Sequence, residues 1–293
     1  MKIHLVDGTY ELFRSYFGAP PAKSKSGQEV GASRGFLSSM IALLRDDGVT
    51  HIGAAFDHTV ESFRNELFEG YKTGEGIEPE LWEQFPWVER ISRALGLQTW
   101  PMERFEADDA LATVAHRFIA EPDVEQIVIC TPDKDLCQCV VGERVVVWDR
   151  RRGVTLDQTG VVEKFGVSPE SIPDYLALVG DSADGIPGVP RWGAKSASVV
   201  LAKFGRIEEI PASVGEWGIK VRGADALSES LNGLRAEAAL YKELATLRKD
   251  ATPSATTLDE LRWAGPDMAE LEAVCDELDD PRALERVRLL ISY

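Results

Sequence analysis

Nine acidic residues stand out by where they fall. Asp7 follows the apolar run KIHLV, Asp57 follows HIGAAF, and CTPDKDL places Asp133 and Asp135 just after EQIVIC. FEADDALATVAHRF opens a segment of helical spacing with Glu106, Asp108 and Asp109, of which Glu106 and Asp109 are three apart and share a face. VGDSADGIPG adds Asp181 and Asp184, again three apart. Taken singly, an aspartate after a strand simply caps the next helix. Brought together, so many carboxylates would raise one another's pKa values and cost stability unless cations held them. Mg²⁺ or Mn²⁺ suits the set, which offers hard carboxylate oxygens and neither imidazole nor thiolate. Two such ions about 3.5–4 Å apart activate a water and stabilise the leaving oxygen of a phosphodiester in an in-line displacement. The chemistry implied is phosphate-ester hydrolysis.

Positioning these residues requires a sheet. The runs KIHLV (2–6), HIGAAF (51–56), EQIVIC (125–130) and RVVVW (144–148) have strand length, while 31–46, 80–95 and 106–120 have helical spacing. This alternation predicts an α/β core with a mostly parallel sheet and flanking crossover helices, whose ligands bind at the carboxyl ends of the strands. From about residue 157 the strand signals stop, and 157–164, 169–179, 194–203 and 224–248 read as helices separated by Gly and Pro. The expected organisation is a core over 1–165, a helical domain over 166–250 and a tail over 251–293. That tail carries ten acidic and four basic residues, ends in RVRLLISY, and is expected to pack back on the core as short helices.

The chain has 293 residues, 44% apolar and 28% charged, which excludes a disordered, collagenous or peptide-scale protein. No apolar run reaches the roughly 18–20 residues that cross a bilayer, and MKIHLVDGTYELF lacks the features of a signal peptide. The expectation is a soluble, cytoplasmic protein with no membrane partner. Cys130, Cys137, Cys139 and Cys275 form no CxxC pair and read as reduced thiols, and His4, His51, His58 and His116 are scattered. The net charge of −17 argues at first sight against a nucleic-acid partner, because phosphate binding needs local positive charge.

In order along the chain, VDGTYELFR, SKSGQEVGASRGF, AAFDHTVESFRNELFEGYKTG, RFEADDALA, TPDKDL and GDSADGIPGVPRWGAKSA resemble the motifs of the bacterial and phage 5′→3′ exonucleases, or flap endonucleases. That family includes the N-terminal nuclease domain of DNA polymerase I. The resemblance implies a resolvase-like (PIN-like) nuclease core, an arch over about 71–90, and a helical domain with a helix–hairpin–helix (H3TH) element over about 180–205. It places the nine acidic residues at the family's metal positions, Asp7, Asp57, Glu106, Asp108 and Asp109 on the tighter ion and Asp133, Asp135, Asp181 and Asp184 on the second group. Two or three Mg²⁺ or Mn²⁺ ions follow. Arg14 and Lys72 match basic residues beside the scissile phosphate, where they would neutralise transition-state charge. A monomeric, nucleoid-associated protein is the family expectation.

Residues 185–203, GIPGVPRWGAKSASVVLAK, read as a Gly/Pro hairpin opening a helix, with Gly188 and Gly193 allowing tight turns and free amides facing a phosphate. From Gly188 to Arg206 there are four basic residues and no acidic one. By the resemblance this element grips duplex backbone, with a monovalent cation such as K⁺. Gly188, Arg191, Gly193, Lys195 and Ser196 are the candidate DNA contacts, Lys195 and Ser196 foremost. Arg150, Arg151 and Arg152 form a second patch, more simply read as a solvated turn. Setting the nine site carboxylates aside leaves 40 acidic against 32 basic residues, and two divalent ions offset four more charges. Weak, salt-sensitive DNA binding is therefore expected.

Three departures from the family pattern stand in the sequence. Glu75 replaces an expected Arg in YKTGEG, the usual GxGxK appears as Arg191-Trp192-Gly193-Ala194-Lys195, and GDSADG carries Ala183 and Gly185 for Ser and Asn. In the acidic arch segment, Trp82, Phe85 and Trp87 offer rings for base stacking, but packing against the neighbouring helix is the favoured role. The expected activity is a stand-alone nuclease, without a polymerase, acting on DNA with a 5′ end, nick or 5′ flap. The alternatives are a nuclease for RNA or RNA–DNA hybrids, and a non-catalytic binder of DNA structure.

Overall fold

A computed structural model of the chain describes residues 1–46, 48–251 and 257–291. In chain order it runs β1 (Lys2–Asp7), α1 (Gly8–Gly18), α2 (Gly31–Leu44), β2 (His51–Asp57), α3 (Phe63–Leu67), α4 (Pro79–Trp82), α5 (Phe85–Ala94), β3 (Gln98–Met102), α6 (Ala107–Phe118) and β4 (Gln126–Cys130). It continues with β5 (Val145–Asp149), β6 (Val154–Leu156), α7 (Gln158–Phe165), α8 (Ile172–Val179), α9 (Ala194–Phe204), α10 (Ala224–Gly233), α11 (Arg235–Ala245), α12 (Leu258–Leu261), α13 (Met268–Glu277) and α14 (Pro281–Leu290). Two compact units result: Met1–Val60 with Gly74–Thr131 and Lys249–Tyr293, and Glu61–Thr73 with Pro132–Arg248.

In the first unit, β3, β2, β1 and β4 lie side by side in that order, all parallel. Ile3, Leu5, Ile52, Ala54, Ile127 and Ile129 are fully buried, as the unbroken apolar runs of a parallel sheet require. The register sets Asp7 opposite Ala55, so Asp7 and Asp57 end neighbouring strands at one carboxyl edge. Strand β3 is not foreseen from spacing because QTWPM contains Pro101; its place at the sheet edge tolerates the missing amide. The single helix expected over 80–95 is two, α4 and α5, because Pro86 begins a new helix where its absent N–H costs nothing.

Helix α13 packs on α5, and α14 on α2. Arg90 bonds Glu270 at 2.6 Å and Glu277 at 3.0 Å, Lys25 pairs with Asp276, and Arg288 meets Glu272 at 2.6 Å. Much of the acidic charge after residue 250 is thus matched locally. Ser292 and Tyr293, which close the run RVRLLISY, and residues 252–256 lie outside the described residues.

The second unit contains the antiparallel pair β5–β6, with Val147 opposite Leu156, so the strands of the chain are mostly but not wholly parallel. Helix α8 packs against α9 and α11. The helix expected over 224–248 breaks after Asn232-Gly233, a stop signal, into α10 and α11. Buried Asp174 accepts the Ile207 amide at 2.8 Å and Lys242 Nζ at 2.9 Å, tying α8 to α11. Arg64, 1% exposed, donates to the carbonyls of Leu244 (2.8 Å) and Thr246 (3.1 Å), oxygens that a helix end leaves without partners. Helix α7 packs on β6 and beside residues 169–171.

Candidate metal centre and nucleic-acid interface

The first unit brings its carboxylates to the carboxyl edge of the sheet through backbone bonds. Asp7 caps α1, its Oδ1 accepting the Tyr10 amide at 2.8 Å, while its Oδ2 accepts the Thr131 hydroxyl at 2.9 Å. The simple capping role is therefore real and occupies part of the side chain. Asp57 accepts the Ala107 amide at 2.8 Å, which fixes the start of α6 against the end of β2. Asp109 is fully buried and accepts the Glu106 amide at 3.0 Å. That bond closes a capping box at the start of α6 through one oxygen of Asp109. Asp108 lies half-buried beside them.

Within the second unit three carboxylates converge. Asp135, Asp181 and Asp184 each offer an oxygen, and those oxygens all lie within 4.8 Å of one another. Asp133 sits against them, its Oδ1 accepting the Asp135 amide at 3.0 Å. The tight turn after α8 brings in Asp181 and Asp184: Asp181 and Ile186 exchange two backbone bonds of 2.8 Å, and Asp181 Oδ1 accepts the Ala183 amide at 3.0 Å. Asp135 Oδ1 is buried and has no hydrogen-bond partner. Burial, then the charges of Asp133, Asp184 and Asp181, hold the Asp135 carboxyl well above the usual aspartate value, and Lys134 only partly offsets them.

A divalent cation fits this group. The donors are hard oxygens, one buried oxygen lacks a partner, and excess negative charge penalises the ionised state. Burial pushes the nearby Cys137 thiol up to about 12, so it stays protonated and adds no soft ligand.

Two lysines reach the same group. Lys72 Nζ lies 2.9 Å from Asp184 Oδ1, and Lys134 Nζ lies 2.6 Å from Asp181 Oδ2. Lys72 is the basic residue expected from the motif; Lys134 is missed by spacing alone, although it stands between two site aspartates in PDKDL. Burial would lower the Lys134 ammonium, but Asp181, Asp135 and Asp133 prevail and raise it. In the first unit Arg14 is bonded to buried Glu11 and, at 2.8 Å, to Ser39 Oγ. Glu11 gave no sequence signal, and it holds the guanidinium that is expected to meet phosphate.

In the hairpin between α8 and α9, Gly188 makes the expected tight turn and Gly193 does not. Gly188 has φ 75, and a Cβ there would lie 2.5 Å from the Gly180 nitrogen and 2.7 Å from the Val179 carbonyl carbon. Gly193 has φ −135 with open space around it, and the non-glycine residue with a left-handed backbone in this stretch is Arg191, φ 73. Gly188→Ala is expected to cost about 1–3 kcal/mol in urea unfolding, whereas Gly193→Ala should cost only a few tenths. Ser196 Oγ accepts the Gly193 amide and donates to its carbonyl, both at 3.0 Å, so its hydroxyl is committed to capping α9. Lys195 is exposed in the first turn, beside amides that have no intrahelical partner. Trp192 is buried, donates Nε1–H to the Leu227 carbonyl at 3.1 Å, and lies 6.3 Å from the Trp217 ring. It anchors the hairpin to α10.

The remaining candidates behave as packing or solvated groups. Phe85 is buried against Phe13 and Trp82, at 6.1 and 5.2 Å between centroids, and Trp87 bonds Gln28 at 3.3 Å. Arg151 and Arg152 are exposed in the β5–β6 turn, their amides bonded to Asp149 at 3.1 and 3.0 Å. Glu75 is exposed.

Comparison with known proteins gives the family and the fold. Residues 2–166 match the family model of the 5′-3′ exonuclease N-terminal resolvase-like domain, and 167–269 match that of the 5′-3′ exonuclease C-terminal SAM fold. DNA polymerase I of Bacillus caldotenax is 35% identical over 98% of this chain and 32% of its own length; that of Pseudomonas aeruginosa is 37% identical over 94% and 30%. The chain thus spans about a third of the curated relatives it matches. Among solved structures, T5 5′-exonuclease with bound divalent metal ions (zinc) aligns at TM-score 0.64 and 16% identity, covering 100% of this chain and 99% of that one. The catalytic core of Rad2 in complex with DNA substrate aligns at 0.65 and 14%, covering 100% and 92%. At those identities the likeness is one of fold, a resolvase-like α/β domain followed by a helical domain with a helix–hairpin–helix. From the family models and the motifs together, the chain belongs to the 5′-3′ exonuclease family.

Proposed function

We propose that this protein is a divalent-metal-dependent 5′-nuclease that hydrolyses phosphodiesters at 5′ ends, nicks and 5′ flaps of duplex DNA, serving flap and primer removal in replication and repair. The observation that carries the reading is the gathering of Asp135, Asp181 and Asp184 around a buried oxygen without a partner, in a chain of this family. Mg²⁺ or Mn²⁺ would be held by Asp133, Asp135, Asp181 and Asp184 in the second unit, and by Asp7, Asp57, Glu106, Asp108 and Asp109 in the first. Such ions, when bound, lower the pKa of water and stabilise charge on the leaving oxygen.

The chain's own groups do the rest. Arg14 in the first unit and Lys72 in the second each offer positive charge to phosphate, and Glu11 and Ser39 keep the Arg14 guanidinium in one orientation. The amides opening α9 and the Lys195 ammonium hold duplex backbone without reading sequence. Lys195→Ala should weaken binding to all duplex sequences alike and reduce the salt slope of log K by about 1, measured by fluorescence anisotropy.

Product sizing on labelled 5′-flap, nicked and blunt duplexes, each with matched DNA and RNA flaps, tests the reading. Short 5′ products from DNA that need Mg²⁺ or Mn²⁺ are expected. Cleavage confined to RNA would transfer the activity to hybrids, and tight structure-specific binding with no metal-dependent product would identify a non-catalytic binder.

A further inference from the structure

We propose that Lys134 is the resident counter-ion of the second carboxylate group and competes with the incoming divalent ion for Asp181. The inference rests on the metal reading above and goes further, in assigning the group that sets ion affinity. Both oxygens of Asp181 are already engaged, Oδ1 by the Ala183 amide at 3.0 Å and Oδ2 by Lys134 Nζ at 2.6 Å. Asp181 is 5% exposed, so little water is available to replace a lost partner. An ion that takes Oδ2 into its own shell competes with the ammonium, since two positive charges at contact distance on one buried oxygen repel each other strongly.

The neighbouring atoms divide the work. Lys72 neutralises Asp184 at 2.9 Å, and Asp135 keeps one buried oxygen without a partner. Between them the two lysines keep the packed carboxylates tolerable before an ion arrives, while the unpartnered oxygen of Asp135 stays ready for it. Arrival of the ion then exchanges one cation for another. Removing the lysine side-chain charge removes the competitor, so ion affinity should rise while the ion-free protein loses stability. An ordinary structural lysine would behave differently, weakening the ion-free and ion-loaded forms alike.

The test uses the full chain with Lys134→Met and Lys134→Arg, Mn²⁺ binding by titration calorimetry, and thermal melts in chelator and in saturating Mn²⁺. The expected result for Lys134→Met is Mn²⁺ affinity about three- to tenfold tighter, a lower melt in chelator and a wider ion-induced shift. Lys134→Arg should stay near the unmodified protein. Unchanged or weaker Mn²⁺ binding by Lys134→Met, or an ion-induced shift equal to that of the unmodified protein, overturns the inference. A second measurement needs no variant: acetylation of Lys134 in the unmodified protein, followed by mass spectrometry, should speed up several-fold on adding Mn²⁺, and an unchanged or slower rate counts against it. Failure of the unmodified protein to bind Mn²⁺ at all would instead remove the metal reading itself.

Discussion

Asp135→Asn is expected to abolish most metal-dependent cleavage while making the ion-free protein more stable. The carboxylate is buried, with one oxygen unpartnered and three acidic neighbours, so its ionised form is costly unless a cation is present. An amide of the same shape keeps the packing and removes the charge. Cleavage of a 5′-flap duplex in Mg²⁺ should fall on the order of 100-fold or more, since a preorganised charged group is lost where phosphate charge is handled. The melt in chelator at neutral pH should rise, by a gain of ~1 kcal/mol, as is usual when a strained functional group is neutralised.

The pH dependence follows in sign. The Asp135 carboxyl is raised in the folded state, so the folded protein binds this proton more tightly than the unfolded chain does. Its stabilising contribution is whole below the ordinary value of 3.8 and is lost as pH rises from there through the raised folded value. Ion-free unmodified protein should therefore lose stability across that window more than Asp135→Asn does, and saturating Mn²⁺ should remove the difference. Chelator melts taken from pH 4.5 upward would show it; parallel curves for the two proteins would contradict it.

Trp192→Ala is expected to have the largest effect on stability, about 3–5 kcal/mol in urea unfolding of the full chain. The indole is buried, its N–H is bonded to the Leu227 carbonyl, and its ring meets Trp217, so truncation leaves a cavity and removes a buried hydrogen bond. DNA binding should weaken with it, because the hairpin carrying Gly188 and Lys195 loses its anchor on α10. Trp192→Phe separates the two causes: it restores most of the packing but not the hydrogen bond, and should lie between. A loss below 1 kcal/mol for Trp192→Ala would show that the hairpin is held by other contacts.

The carboxylates were legible in the sequence because strand ends and helix starts are local features. Apolar runs ending at Asp7, Asp57 and Asp133 needed no tertiary information, and β1, β2 and β4 follow them closely. Strand β3 was hidden because the sheet edge tolerates a proline that a strand pattern forbids. The breaks at Pro86 and at Asn232-Gly233 were written in the chain but masked by helical spacing that continues across them. Partners distant in sequence were the least legible. Nothing near Arg14 announces that Glu11 rather than solvent receives its charge, and nothing in RWGAK says that the indole turns inward to Leu227. Lys134 lay in plain view between Asp133 and Asp135, yet only the backbone turn that carries Asp181 reveals what it touches.

The most direct measurement is anomalous diffraction from crystals of the unmodified protein soaked in Mn²⁺. An anomalous peak in bonding contact with Asp135, Asp181 and Asp184, with the Lys134 ammonium displaced from Asp181, is the predicted result. Absence of any peak at saturating Mn²⁺, with Lys134 and Lys72 still seated on Asp181 and Asp184, would contradict the account.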